Sequence, residues 1–215
     1  MKIAKFIDYT LLKATGTRAD IERMCREAKE YGFKALCIHP YFVNVCREQL
    51  KDSEVEIATV VGFPFGANKS QVKAFEAAQA VEDGATEIDM VINIAEMLRG
   101  NISFVAQDIA AVVKAVEGRA LVKVIIETAY LSREQIVVVS KIIKESAACY
   151  VKTSTGYAPS GAKVEDIQLI RETVGPDFGI KASGGISDYQ TAVKMIEAGA
   201  TRLGASKGIE IVSGA

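Results

Sequence analysis

The chain has 215 residues, 49% hydrophobic and 25% charged, with a formal net charge of -1. That length can bury one large core, and so even a charge balance gives no electrostatic reason to expect nucleic acid or an anionic membrane as partner. No apolar run approaches the roughly 18 residues that span a bilayer, and Met1-Lys2-Ile3-Ala4-Lys5 soon meets Asp8 without a signal-peptide apolar region, so the expected location is cytoplasmic.

In chain order, Phe6 to Leu12 is a short extended stretch holding Asp8. Thr17 is placed to cap a helix in which Ile21, Met24, Cys25, Ala28 and Tyr31 recur at helical spacing, and Gly32 ends it. Phe33 to Ile38 is a strand stopped by His39-Pro40, and a helix over 41–51 follows. Val55 to Val61 is a run rich in β-branched residues that ends in Gly62-Phe63-Pro64-Phe65-Gly66. A helix carrying Val72, Phe75, Ala78 and Val81 leads to the strand Thr86 to Ile92, with Glu87 and Asp89 inside it. Helical material then continues to about Val116. Leu121 to Ile126 is a strand holding Lys123, with Glu127 just beyond.

Ser132-x-x-Gln135 reads as a capping box. The helix it opens leads to Cys149-Tyr150-Val151-Lys152, a strand that runs into the turn Thr153-Ser154-Thr155-Gly156. Lys163 to Val174 is helical. Phe178 to Ala182 is a strand with Lys181, followed by Ser183-Gly184-Gly185. Ser187-x-x-Gln190 is expected to cap a helix to about Ala198. Thr201 to Gly204 is the last strand, and Ala205-Ser206-Lys207-Gly208 leads into a short terminal helix.

This is strict β–α alternation, with strands near residues 7, 36, 59, 89, 123, 151, 180 and 202. The strands are apolar on both faces, as in parallel sheets covered by helices. The expected fold is α/β, a single (β/α)8 TIM-barrel domain over 1–215. A doubly wound open sheet fits less well, because no Gly-x-Gly-x-x-Gly follows the first strands.

Five charges lie within the fourth to seventh strands: Glu87, Asp89, Lys123, Lys152 and Lys181. Strand parity puts Glu87 with Asp89 on one face. If such faces point inward, the centre holds lysines against carboxylates, which is either a structural ion network or a site. Position favours a site, since barrels do their chemistry at the C-terminal strand ends and Asp89, Lys152 and Lys181 lie late in their strands. Two lysines on adjacent strands disfavour each other's protonation. One should therefore be a neutral amine, as a Schiff-base nucleophile requires, with Asp89 compensating the other charge and relaying protons. Ser183-Gly184-Gly185 and the loop from Gly204 to Gly208 are suited to phosphate. Cys25, Cys37, Cys46 and Cys149 form no Cys-x-x-Cys pair and His39 is the lone histidine, so reduced thiols are expected and a zinc site is not.

The stretches Ile7-Asp8-Tyr9-Thr10-Leu11-Leu12, Glu87-Ile88-Asp89-Met90-Val91, Val151-Lys152-Thr153-Ser154-Thr155-Gly156, Lys181-Ala182-Ser183-Gly184-Gly185-Ile186 and Arg202-Leu203-Gly204-Ala205-Ser206 follow one another over nearly the whole chain. In these the sequence resembles the deoxyribose-phosphate aldolase family of class I aldolases. The resemblance implies reversible cleavage of 2-deoxy-D-ribose 5-phosphate to D-glyceraldehyde 3-phosphate and acetaldehyde, with no metal and no cofactor. By motif position it implies Lys152 as the Schiff-base lysine, Lys181 as the lysine that tunes it, and Asp89 as general acid/base. Asp8 would hold the lysine pair at the substrate, Thr155 would line the site, and Gly156, Gly184, Gly185 and Ser206 would hold the phosphate. The implied partners are the phosphorylated sugar and acetaldehyde, and a homo-oligomer, dimer or tetramer, is the expected assembly. Some members carry a lysine where this chain has Tyr157, and others a second serine where it has Lys207. These departures imply one phosphate contact moved from one loop to the other, with Lys207 supplying the charge, and leave open whether Lys207 or Tyr157 meets the phosphate. The sequence ends at Ala215 without the tyrosine-ended tail of some longer members.

Overall fold

A computed structural model describes residues 2–214; Met1 and Ala215, the outer bounds of the expected domain, lie outside the described residues. A 3₁₀ turn (Ile3–Phe6) leads into β1 (Ile7–Leu11), α1 (Arg18–Tyr31) and β2 (Ala35–Ile38). A second 3₁₀ turn (Pro40–Phe42) runs into α2 (Val43–Leu50), then β3 (Glu56–Val61), α3 (Ser70–Asp83), β4 (Glu87–Val91), α4 (Ile94–Leu98) and α5 (Ile102–Val116). β5 (Leu121–Ile125), a 3₁₀ turn (Thr128–Tyr130), α6 (Arg133–Glu145), β6 (Tyr150–Lys152), α7 (Val164–Val174), β7 (Gly179–Ser183), α8 (Tyr189–Glu197), β8 (Arg202–Ala205) and α9 (Gly208–Ser213) complete it. The strands pair in sequence order, all parallel, and β8 closes on β1. The chain is a (β/α)8 barrel, and the closure rules out the open sheet.

Local chemistry sets most element ends. Thr17 and Asp20 form a reciprocal capping box, and Gly32 takes the left-handed conformation that ends α1. Ser132 and Gln135 form the box expected for α6. Two expectations shift. The cap of α8 is Asp188, not Ser187, because the Asp188 carboxylate accepts both the backbone N–H and the hydroxyl of Thr191, each at 2.8 Å. The helical stretch before Val116 is two helices. It breaks at Gly100, and Asn101 restarts it by accepting from the Phe104 N–H.

Alternation along the strands divides the interior. Ile88 and Met90 of β4, Val122 and Val124 of β5, and Ile180 and Ala182 of β7 belong to the main apolar core, beneath the helices. The residues between them face the barrel axis. On the β2–β3 side these are small and apolar, with Ala35, Cys37, Ala58 and Val60 packed together with Leu12. The rest of the interior, from β4 round to β1, holds charge.

Candidate active site

Seven ionisable side chains meet inside the barrel, and Lys123 is their hub. Its Nζ lies 2.6 Å from Glu87, 2.7 Å from Asp89 and 3.6 Å from Asp8. Arg202 donates to Asp8 at 2.7 Å and to both oxygens of Glu87 at 3.0 and 3.1 Å, with its guanidinium 5.5 Å from the centre of the Tyr150 ring. Lys181 donates to Asp8 and, at 2.7 Å, to Asp89 Oδ2. Lys152 donates to that same Oδ2 at 2.7 Å and contacts no other carboxylate among the described residues. Register explains the meeting, since Asp89 lies opposite Lys123, and Lys152 opposite Lys181.

Gly204 on β8 makes room for one of these contacts. Lys181 on β7 must pass the intervening β8 to reach Asp8 on β1. A Cβ at Gly204 would stand 3.2 Å from Lys181 Cε and 2.5 Å from Ser183 Oγ. The glycine expected only as part of a phosphate loop therefore also clears the path of a buried lysine.

The formal charges do not balance. Among the groups in direct contact, Lys123, Lys152, Lys181 and Arg202 face Asp8, Glu87 and Asp89, four cations against three carboxylates, with one further buried carboxylate, Glu127, in electrostatic reach of Lys152. The surplus falls on the least compensated cation. Burial is the largest influence on Lys152 and lowers its pKa; Asp89 opposes this, Lys181 reinforces it, and the outcome lies below the ordinary lysine value. Burial also acts against charge on Lys181, but Asp8 and Asp89 overcome it and raise its pKa. Burial pushes Asp89 upward, yet Lys123, Lys152 and Lys181 together hold it well below the usual carboxylate range. The direction expected for Lys152 is thus found, but desolvation leads and the second lysine contributes after it.

Above this network lies a cavity of about 400 Å3 at the C-terminal ends of β6, β7, β8 and β1. Lys152 is 3% exposed and is the one network lysine on its lining; Lys123 and Lys181 are fully buried below it. Thr155, Gly156, Gly184, Gly185 and Ser206 all line the cavity, as do Thr10, Ser183 and Tyr157. Asp8 does not. It was expected at the substrate holding both lysines, but it is fully buried beneath the floor and holds Lys181, Lys123 and Arg202. Asp89 is also below the floor, and it is the group that holds the lysine pair. Lys207 is not on the lining.

Two further residues shape the walls. Glu127, just past β5, takes a positive φ of 55° and accepts the backbone N–H and hydroxyl of Thr155. Glu127→Ala would leave that buried N–H unsatisfied and is expected to cost roughly 1–3 kcal/mol in urea unfolding, most of it recovered in Glu127→Gln. Gly161 packs directly on the Gly184 backbone, and its Cβ would fall 2.2 Å from the Gly184 oxygen. The next N–H, of Ala162, donates to Ser183 O at 2.9 Å and Gly184 O at 3.1 Å, which fixes the loop after β7.

A closed parallel barrel, with a cavity at its C-terminal mouth and a buried lysine in the cavity floor, is the build of a (β/α)8 barrel enzyme. The chain belongs to the DeoC/LacD family of aldolases, whose model matches residues 2–214. It is 54% identical over 214 residues to the deoxyribose-phosphate aldolase of Caldanaerobacter subterraneus subsp. tengcongensis, covering 99% of this chain and 93% of that one. It is 54% identical over 215 residues to the deoxyribose-phosphate aldolase of Enterococcus faecalis, covering 100% and 98%. Among solved structures, the tetrameric deoxyribose phosphate aldolase from Aeropyrum pernix superposes with a TM-score of 0.91 at 31% identity, over 98% of this chain and 89% of that one.

Proposed function

We propose that the chain is a single catalytic barrel that reversibly cleaves 2-deoxy-D-ribose 5-phosphate to D-glyceraldehyde 3-phosphate and acetaldehyde through an imine on Lys152. The observation that carries this is the charge surplus inside the barrel, relieved at the one network lysine that reaches the cavity. Lys152, as a neutral amine, adds to the C1 aldehyde of the open-chain sugar, and loss of water gives the iminium. The C3 hydroxyl then gives its proton to water, the molecule released in forming the iminium, and the C2–C3 bond breaks. Its electron pair forms the enamine, and D-glyceraldehyde 3-phosphate leaves. Protonation of the enamine at C2 and hydrolysis of the resulting iminium release acetaldehyde and restore the amine.

Lys181, kept as an ammonium by Asp8 and Asp89, shares Asp89 Oδ2 with Lys152 and, lying below the floor, would supply protons by way of Lys152 or a water in the cavity rather than by touching the sugar. Asp89, below the floor, works through the two lysines rather than on the sugar itself. Gly156, Gly184, Gly185 and Ser206 would cradle the phosphate, at the loops where barrels commonly bind it. The Aeropyrum pernix relative supports a homo-oligomeric assembly. Among the described residues no helix is long and apolar enough to cross a membrane, which accords with action in the cytoplasm.

The test is turnover of 2-deoxy-D-ribose 5-phosphate by the purified protein, with both products measured and a chelator added in parallel. Equal release of acetaldehyde and D-glyceraldehyde 3-phosphate, unchanged by chelator, is expected. Isomerisation of a sugar phosphate with no acetaldehyde would overturn the reading.

A further inference from the structure

The cavity needs more positive charge than its cradle supplies. Gly156, Gly184, Gly185 and Ser206 offer N–H and hydroxyl donors but no cation, and the donors of Thr155 are taken by Glu127. Lys152 is on the lining, but it is engaged by Asp89 in the floor. One other lysine borders the cavity: Lys13, exposed, on the loop after β1. Among the described residues it has no carboxylate partner.

The backbone carrying Lys13 is unusually well fixed for a surface loop. The carbonyl of the preceding residue, Leu12, is met from two sides. His39 Nε2 lies 2.8 Å from it at the end of β2, so that nitrogen carries the proton, and the Tyr157 hydroxyl donates to it from the loop after β6. Phe63 stands between the two rings, edge-on to each, with centroids 6.2 Å from His39 and 5.5 Å from Tyr157. On the other side, the Lys13 carbonyl accepts the Gly16 N–H at 3.0 Å in a tight turn. The lone histidine and the tyrosine after the Thr-Gly turn are thus joined to the Lys13 loop through one oxygen.

We propose that Lys13 is the residue that neutralises the substrate's phosphate and so sets the preference for phosphorylated over unphosphorylated sugar, and that the Leu12 carbonyl, held by His39 and Tyr157, positions it. This rests on the aldolase reading and adds the source of its phosphate selectivity. Lys13 acts on binding, whereas the bond-making groups lie at the cavity floor. Tyr157 is a positioning residue acting through Leu12, which answers how the chain manages with a neutral side chain at that point of the turn.

The experiment compares kcat/KM for 2-deoxy-D-ribose 5-phosphate with that for 2-deoxy-D-ribose. In Lys13→Met the ratio should fall on the order of 10- to 100-fold, carried by KM for the phosphorylated sugar, as loss of a charge-assisted contact implies. Lys13→Arg should keep most of the ratio. Tyr157→Phe, which keeps the ring and removes the donor to Leu12, should lower it in the same direction by a smaller factor. A Lys13→Met ratio equal to that of the unaltered protein overturns the proposal. Calorimetry with inorganic phosphate separates this from failure of the aldolase reading. Weaker phosphate binding in Lys13→Met supports the assignment even if neither sugar is cleaved, and equal binding contradicts it.

Discussion

Lys152→Ala is expected to lower kcat/KM for 2-deoxy-D-ribose 5-phosphate by at least about 10⁴-fold, about 5.5 kcal/mol of transition-state stabilisation, while leaving the fold intact. The loss follows because no other network lysine reaches the cavity, so the covalent route has no substitute nucleophile. Lys152→Arg should not restore activity, since a guanidinium stays charged and cannot add to a carbonyl at neutral pH. Preserved stability follows from the charge count: removing Lys152 leaves three cations facing three carboxylates. Most buried ion-pair truncations strand a charge and cost several kcal/mol; this one removes a neutral amine and leaves the three remaining cations and three carboxylates paired. Steady-state kinetics and thermal unfolding on the same sample check both halves. A melting temperature well below that of the unaltered protein would contradict the surplus, and retained turnover would contradict the nucleophile.

The second large effect is on pH dependence. Lys152 acts when neutral, and its lowered pKa makes that form available at lower pH than for an ordinary lysine. Lys181→Leu removes a neighbouring ammonium and releases Asp89 Oδ2 to pair with Lys152 alone. Both changes favour the charged form of Lys152 and raise its pKa. Less neutral amine is then present near pH 7, and the acid limb of the kcat/KM profile moves to higher pH. The proton donor is lost as well, a group of a kind that contributes about 10²–10⁴-fold. Activity at neutral pH should fall by that order, with part of the loss recovered as pH rises. A profile that keeps its shape and position would show that Lys181 does not tune Lys152.

Strand spacing carried the barrel, because every strand is followed by helical material before the next strand begins. The inward lysines were legible as charges inside otherwise apolar strands: Lys123 between Val122 and Val124, Lys152 after Val151, and Lys181 between Ile180 and Ala182. Pairing was not legible. Asp8 and Lys181 meet only because β8 closes on β1, and they lie 173 residues apart. Asp8 was therefore assigned to the substrate when it belongs to the floor. Arg202 lies in the last strand with no role assigned to it from the sequence, yet it is 3% exposed and holds Glu87 and Asp8. Lys207 was singled out because it stands where other family members carry a serine; it is not on the cavity lining, which the loop carrying Lys13 borders. That loop is tied to Tyr157 across 145 residues, a contact no local pattern encodes.

Reductive trapping tests the central claim most directly. Treating the protein with acetaldehyde and borohydride over a range of pH, followed by peptide mapping, should place a single ethyl group on Lys152. The trapping rate should rise with pH and level off below the range of an ordinary lysine. An adduct on Lys181 or Lys13 in place of Lys152, or trapping that becomes appreciable only at the pH of an ordinary surface lysine, would contradict a buried neutral amine as the nucleophile.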